Sequence, residues 1–356
     1  MAGQLYTTVE GRLENHKGRI LKKAQKREML SKLGAMDPMP QNKSEKITWM
    51  RFLPYGGVDN QWLAAGGDTA YITAHLIEDG VTPTADSITY TTINTTLQEI
   101  GCLYTYTNKT RYVHEEGAEF PMEMEDQAAQ RLALCREMMV YGELKACTNV
   151  FYGGTGTSIS TVNGAPTKAD MQDISRALLG KHAIMLNQTL KSGPMFGMQS
   201  VAASWPVYCH TDMEKTFEDI TGFTKVQDYG GRELLDPEYE IGAIGRFRVI
   251  VNPILTYQVA AGAAVGATGL KADDSTNIDV YPHIIVGRGM GGGDAFGQVP
   301  LRGFESINVN HIPVSQATKS DPGAQRGYVY GGTWQAQKIL NDDWMAVLYA
   351  GTKANG

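Results

Sequence analysis

The sequence predicts an α+β protein whose sheet strands come from distant parts of the chain. Three observations carry that reading. A long helical stretch follows Pro121, segments rich in Thr and β-branched residues lie on both sides of it, and 40 glycines scatter through 356 residues without a period. Glycine at about 11% exceeds the usual ~7% and marks many turns and bulged strands rather than a fibrous repeat.

Residues 1–46 form a polar leader. Within it, Ile20, Leu21, Ala24, Leu30 and Leu33 recur at roughly helical spacing among Lys and Arg, which predicts one amphipathic basic helix over 12–32. Gly34 and then Asp37-Pro38-Met39-Pro40 end it. Eight basic residues against two acidic ones give this stretch +6, so the rest of the chain sums to −12 within a net charge of −6. A leader of this composition cannot build a core alone. It reads as an arm that packs on something else, with a disordered tail as the alternative.

From Lys46 to Tyr55, Ile47, Trp49, Phe52 and Leu53 beside Thr48 and Arg51 predict a strand, and Ser87 to Leu97 predicts a second. Between them lie about 30 residues punctuated by Gly56-Gly57, Gly66-Gly67 and Gly80. A compact domain rarely carries so long a connection without a functional reason, so the pair reads as a protruding β-arm.

Pro121 opens the strongest helix signal, Met122 to about Thr148. Pro suits a first-turn position, where its missing N–H is no loss, and Glu123, Glu125 and Asp126 suit the positive helix end. Thr167 to Asp170 then caps a second helix running to about Asn187. Shorter elements follow: a strand at Val207–His210, a helix at Asp212–Ile220, and strands at Gly245–Val251 and Val280–Val286. The chain ends on strands at Ser306–Asn310, Tyr328–Tyr330 and Trp344–Tyr349. No repeat appears at the periods of solenoids or propellers.

Most catalytic classes find no foothold. Gly287, Gly289 and Gly292 match the spacing of a dinucleotide fingerprint, but Gly293, Gly297 and Pro300 leave no helix to hold a pyrophosphate. His114-Glu115 lacks the second histidine of a zinc-protease motif, since position 118 is Ala. Ser200 and Ser204 lack a nucleophile-elbow context. Asp273, Asp274 and Asp279 lack the alternating oxygen ligands of a calcium loop and read as a solvated acidic loop. The seven histidines read as surface or satisfied core residues. Cys102, Cys135, Cys147 and Cys209 never form a C-x-x-C pair, which predicts reduced, mostly buried thiols. No run reaches the ~18 apolar residues of a membrane span, and the polar start lacks a signal-peptide core. The sequence thus predicts a soluble protein of a reducing cytoplasm, with no cofactor, no metal and no catalytic residue. The basic stretch at 12–32 contains no aromatic to stack a base, so any nucleic-acid contact there is electrostatic only.

Several stretches, in order, resemble the major capsid proteins of tailed bacteriophages with the Hong Kong 97-type fold, and the capsid family of the N4-like phages in particular. They are Ile47-Thr48-Trp49, Glu78-Asp79-Gly80-Val81-Thr82-Pro83, Thr96 to Gly101, and Ile241 to Arg248. Gly293 to Gly297, Ser320 to Gly327 and Trp334 to Met345 complete the set. The resemblance spans roughly residues 45–350. It implies an N-terminal arm at 1–46, an extended E-loop hairpin at 47–92, and a P-domain at 93–167 that carries a spine helix at about 122–148. An A-domain would follow at 168–300, and 301–356 would return strands to the P-domain.

The resemblance further implies hexamers and pentamers in an icosahedral virion shell around double-stranded DNA. Partners would be a portal, a possible decoration protein and a separate scaffolding protein, because the 46-residue leader is too short to serve as a fused scaffold. Bacterial encapsulins share the fold and remain the alternative with a different cargo. Some relatives cross-link through an E-loop lysine. Here no Lys lies between Lys46 and Lys109, so that bond is not expected from this loop.

Residues 47–108 hold six acids and one base, Arg51. The opposite charge of the leader suggests that Lys22, Lys23, Lys26 and Arg27 contact a neighbour's acidic E-loop surface, at Asp59, Asp68, Glu78 and Asp79, or its spine-helix surface. Exposed pairs contribute only ~0–1 kcal/mol each, but repetition would make assembly sensitive to salt.

Overall fold

A computed structural model describes residues 28–53, 72–73, 75–77, 79–82, 88–113, 120–188, 200–229, 234–236, 238–266, 268–289, 293–314 and 321–354. The chain divides into two compact units. The smaller takes 100–134 and 306–333, and the larger takes 28–99, 135–305 and 334–356, together with the ends assigned to each.

In chain order the strands are β1 Ala35–Met36, β2 Lys46–Phe52, β3 Tyr90–Thr96, β4 Gln98–Thr107, β5 Val150–Tyr152, β6 Leu186–Gln188, β7 Ser200–Cys209 and β8 Phe223–Lys225. They continue with β9 Glu240–Ile244, β10 Phe247–Val251, β11 Tyr281–Val286, β12 Phe296–Pro300, β13 Asn308–Ile312, β14 Arg326–Ile339 and β15 Met345–Ala350. The helices are α1 Asn108–Val113, α2 Phe120–Leu144, α3 Lys168–Gly180 and α4 Glu214–Glu218. Among the described residues, no helix is long and apolar enough to cross a membrane.

The larger unit is built on a mixed sheet in the order β5-β15-β11-β7-β10-β9-β8, with β6 also paired to β7. Strands β10, β11 and β15 are buried along their whole length. Alternation of side chains across a strand divides them between two cores. Met345, Val347 and Tyr349 join Ile284, Val286, Tyr141 and Leu144 on one face. Ala346, Leu348 and Ala350 join Tyr281, Ile285, Phe217 and Leu178 on the other. Each Val, Leu, Ile, Phe or Met among them contributes roughly 1.5–3 kcal/mol on burial.

The helix starts were legible and the ends less so. Thr167 and Asp170 form a reciprocal capping box, with Thr167 N–H donating to Asp170 Oδ2 at 2.9 Å and Asp170 N–H to Thr167 Oγ1 at 3.2 Å. Helix α3 stops at Gly180 rather than near Asn187. His182 turns into the left-handed region (φ 58) and Ala183 N–H closes back on Leu178 C=O, an arrangement that ends a helix, and residues 186–188 pair as a strand instead. Helix α2 ends at Leu144 rather than Thr148, where Ala146 and Cys147 N–H groups bond three residues back before β5 begins. The helix read at 212–220 is a 3-10 turn at Thr211–Met213 followed by α4.

The leader also needs correction. Leu30–Lys32 is a single 3-10 turn, not the end of an amphipathic helix, and Leu30 and Leu33 are core residues. Beyond it, β1 pairs in parallel with β12, and Met39 continues the strap against Pro300 and Arg302. Residues 28–40 are therefore built into the larger unit. Residues 1–27, where the basic helix was read, lie outside the described residues.

The smaller unit packs Cys102, Tyr106, Ala128, Leu132, Val314 and Val329 into its own core. There β13 runs antiparallel to the 328–332 part of β14. Tyr106 Oη and His311 Nε2 are 2.7 Å apart, and His311 Nδ1 stands 3.2 Å from Glu125.

Candidate functional site

The surface that most needs explaining is the β2–β3 hairpin. Lys46 pairs with Thr96 and the register runs without a slip to Phe52 opposite Tyr90. The strict alternation of burial in β2 follows from the two-residue period of a strand. Ile47 and Trp49 face inward onto Met39, Leu97, Val299 and Ala336. Arg51, the base among the six acids, faces the same way and meets Asp343 at 3.2 Å. Thr95 Oγ1 donates to Gln337 C=O.

The outward face carries exposed apolar groups. Phe52 is 66% exposed and Ile88 79%, with Met50 and Tyr90 more than half exposed. Phe52 and Tyr90 touch edge to face at 6.4 Å between centroids. A two-stranded ribbon is marginal alone, and a contiguous apolar face on it marks an interaction surface.

A second feature anchors the leader. Glu137, in α2, is completely buried, and its carboxylate accepts the N–H groups of Met29 and Leu30 through Oε1 and of Ser31 through Oε2, at 2.7–3.1 Å. A carboxylate at the start of a helical turn answers the orphan N–H groups there. Ser31 C=O in turn receives Gln298 Nε2, Gln298 Oε1 receives Gln335 Nε2, and Gln335 Oε1 receives Arg136 Nε. This polar chain ties residues 29–31 to α2, β12 and β14.

A third cluster is electrostatic. Lys271 Nζ reaches Asp212 at 2.8 Å and Tyr281 Oη at 3.2 Å, and Tyr281 Oη donates to Asp212 at 2.9 Å. Burial alone would raise the Asp212 carboxyl, but the hydrogen bonds from Lys271 and Tyr281 outweigh it and hold it below its ordinary value. Burial would likewise lower Lys271, and the same bonds carry it upward instead. The cluster ties the 252–279 segment to the sheet. Asp279, read as part of a solvated loop, is fully buried and accepts the N–H groups of Ala260 and Asp273. Sequence gave no signal for this, because its donors are backbone groups.

The remaining chemical candidates resolve into packing. Gly289 sits where a Cβ would run into the Trp344 ring, and the described chain after it enters β12, not a helix. The glycine spacing thus serves close packing. The Cys147 thiol is pushed up to about 12, chiefly by burial, which leaves it unreactive. His283, expected to be satisfied if buried, is fully buried with neither ring nitrogen bonded. Among the described residues no group of His, Cys, Asp and Glu could hold a metal ion.

Of the residues predicted at subunit contacts, Asp79 lies in an exposed turn before Gly80. Lys22, Lys23, Lys26, Arg27, Asp59, Asp68 and Glu78 lie outside the described residues. The exposed apolar face of the hairpin was missed. Its signal was present in Met50, Phe52, Ile88 and Tyr90 at alternating positions.

No protein-family profile matches the chain, and no curated protein matches it in sequence. Its fold, however, is that of bacteriophage capsid chains. The capsid chain of the cyanophage Pam1 matches with a TM-score of 0.60 at 11% identity, covering 99% of this chain and 100% of that one. The capsid of Ralstonia phage GP4 matches at 0.60 and 9% identity over 100% and 99%. The capsid of the cyanophage P-SCSP1u matches at 0.59 and 12% over 99% and 98%.

Proposed function

We propose that this chain is the major capsid protein of a tailed bacteriophage of the Hong Kong 97 type, related to the N4-like phages, and that it builds the shell without catalysing a reaction. The observation that carries this reading is coverage. Capsid chains of three phages follow the fold from end to end, with almost nothing left over on either side. The exposed apolar hairpin supports it, since a contiguous apolar face of this kind marks an interaction surface.

In this reading residues 47–92 are the E-loop, α2 is the spine of the P-domain, and 168–300 form the A-domain. Repeated heterologous contacts close the shell as hexamers and pentamers around double-stranded DNA. A separate scaffold, a portal and a possible decoration protein complete the virion. The basic leader residues Lys22, Lys23, Lys26 and Arg27 lie against acidic E-loop surface of a neighbour, at Asp59, Asp68, Glu78 and Asp79.

The test is to express the chain alone and with its candidate scaffold, then examine it by negative-stain electron microscopy and mass photometry. Shells, capsomers or tubes are the expected outcome. A monomer or dimer under every condition, scaffold included, would sink the reading.

A further inference from the structure

A groove of about 390 Å³ runs between α3 and the turn joining β9 to β10. Met171, Leu179, Ile244 and Phe247 form its apolar lining. Its rim is basic: Lys168, Arg176 and Arg246 all stand at the edge and all are exposed. Gly245, at φ 58, turns the chain tightly enough to hold Arg246 there. Arg176 pairs with Asp173 at 3.2 Å across one helical turn, with both side chains mostly in solvent, so little of its charge is committed. Lys168 and Arg246 form no ion pair among the described residues. An apolar channel with three cations on its lip fits a segment that offers apolar anchors and carboxylates together.

Among the described residues, the exposed apolar groups of 72–82 fit this best. In 72–82, residues 72, 73 and 75 are helical, and Leu76 N–H closes back on Thr73 C=O at 3.3 Å. Leu76 and Ile77 are each 68% exposed, with Ile72 and Val81 more than half exposed. Glu78 and Asp79 follow directly in sequence, and no Lys or Arg occurs between Arg51 and Lys109. Other exposed apolar groups fit less well. Met50 and Phe52 flank Arg51, and Met122 stands beside Glu123 but offers a single anchor. Within one copy the segment's apolar groups are exposed and none of them lines the groove.

We infer that the groove between α3 and the β9–β10 turn is a docking site for residues 72–82 of a second copy, held by Leu76 and Ile77 in the apolar floor and by Glu78 and Asp79 on the basic rim. This rests on the shell-forming reading. It gives Glu78 and Asp79 a second basic partner besides the leader. One such contact is weak, and its effect comes from repetition around a closed ring.

Charge exchange in the full chain tests it. Arg176→Glu with Arg246→Glu, and separately Glu78→Lys with Asp79→Lys, should each lower shell yield about tenfold or more. All four together should restore most of it. Circular dichroism and melting of the soluble subunits would show that each variant folds. If either pair assembles like the parent, or if the fourfold variant stays defective, the docking is wrong while the capsid reading stands. If the parent itself forms no shell, that reading fails. The groove is then tested alone with a fluorescein-labelled peptide of residues 70–83. Anisotropy should rise with the parent and be lost with Arg176→Glu/Arg246→Glu, and equal binding to both would overturn the inference.

Discussion

The β2–β3 hairpin and the β10–β11–β15 part of the central sheet both draw on β-branched and aromatic residues, yet they end in opposite conditions. In the central strands every position is buried, because helices and loops cover both faces. In the hairpin only one face is covered, and the other presents Met50, Phe52 and Tyr90 to solvent. Strand propensity therefore does not decide burial; what packs above the strand does. The sheet is covered on both faces within one chain, whereas the hairpin is covered on one face only.

The largest expected effect separates the two regions directly. Leu348→Ala in β15 removes a fully buried side chain and should destabilise the isolated subunit by about 2–5 kcal/mol. The double change Met50→Ser and Phe52→Ser should alter subunit stability by less than about 0.5 kcal/mol, as expected of surface positions, while abolishing particles in electron micrographs. Urea titrations of both proteins check the first half. A hairpin variant that is equally stable and still forms normal shells would show that the exposed face is not an interface.

Glu137→Ala comes next. It leaves three backbone N–H groups without their acceptor inside the protein, at about 1–3 kcal/mol for each buried group left unpaired. Relaxation of the 3-10 turn and water entry should hold the total to roughly 3 kcal/mol. Hydrogen exchange should speed up at Met29, Leu30 and Ser31 before it does in β11. Unchanged exchange there would mean that the leader is fixed by the β1–β12 pairing alone. This variant sharpens the contrast, because the leader root is a polar attachment and the hairpin base is largely an apolar one.

These two attachments differ in how far sequence could reveal them. The strands of the hairpin, the proline-led helix and the Thr167–Asp170 cap were all legible, since each depends on residues a few positions apart. The role of Glu137 was not. Its partners lie more than 100 positions away and are backbone groups, which carry no residue-type signal. For the same reason Asp279 was read as solvated. The break at His182 was hidden because a left-handed residue outside glycine is uncommon. For the candidate contact residues only the charges could be counted; the basic-rimmed groove between α3 and the β9–β10 turn is formed by residues about 70 positions apart and carries no local signal.

The smallest expected effect concerns the sheet itself and its own weak point. His283 lies in β11 among apolar groups, edge-on to Phe217 at 5.4 Å, with both ring nitrogens unbonded. Burial pushes its pKa down to about 3, so the folded protein keeps the ring neutral. An unfolded chain takes up the proton near the ordinary value of ~6.5. Between those two values the unfolded state binds more protons, so stability declines as pH falls, by up to about 1.4 kcal/mol per pH unit from this group. Above the unfolded value the histidine adds no pH dependence. His283→Leu keeps similar bulk and removes the unpaired nitrogens, so it should stabilise the subunit by about 1–2 kcal/mol at neutral pH. Its advantage should widen on acidification. Parallel denaturation series for the two proteins between neutral pH and pH 4 measure this, and a constant gap across the series would mean that the ring is not held neutral in the core.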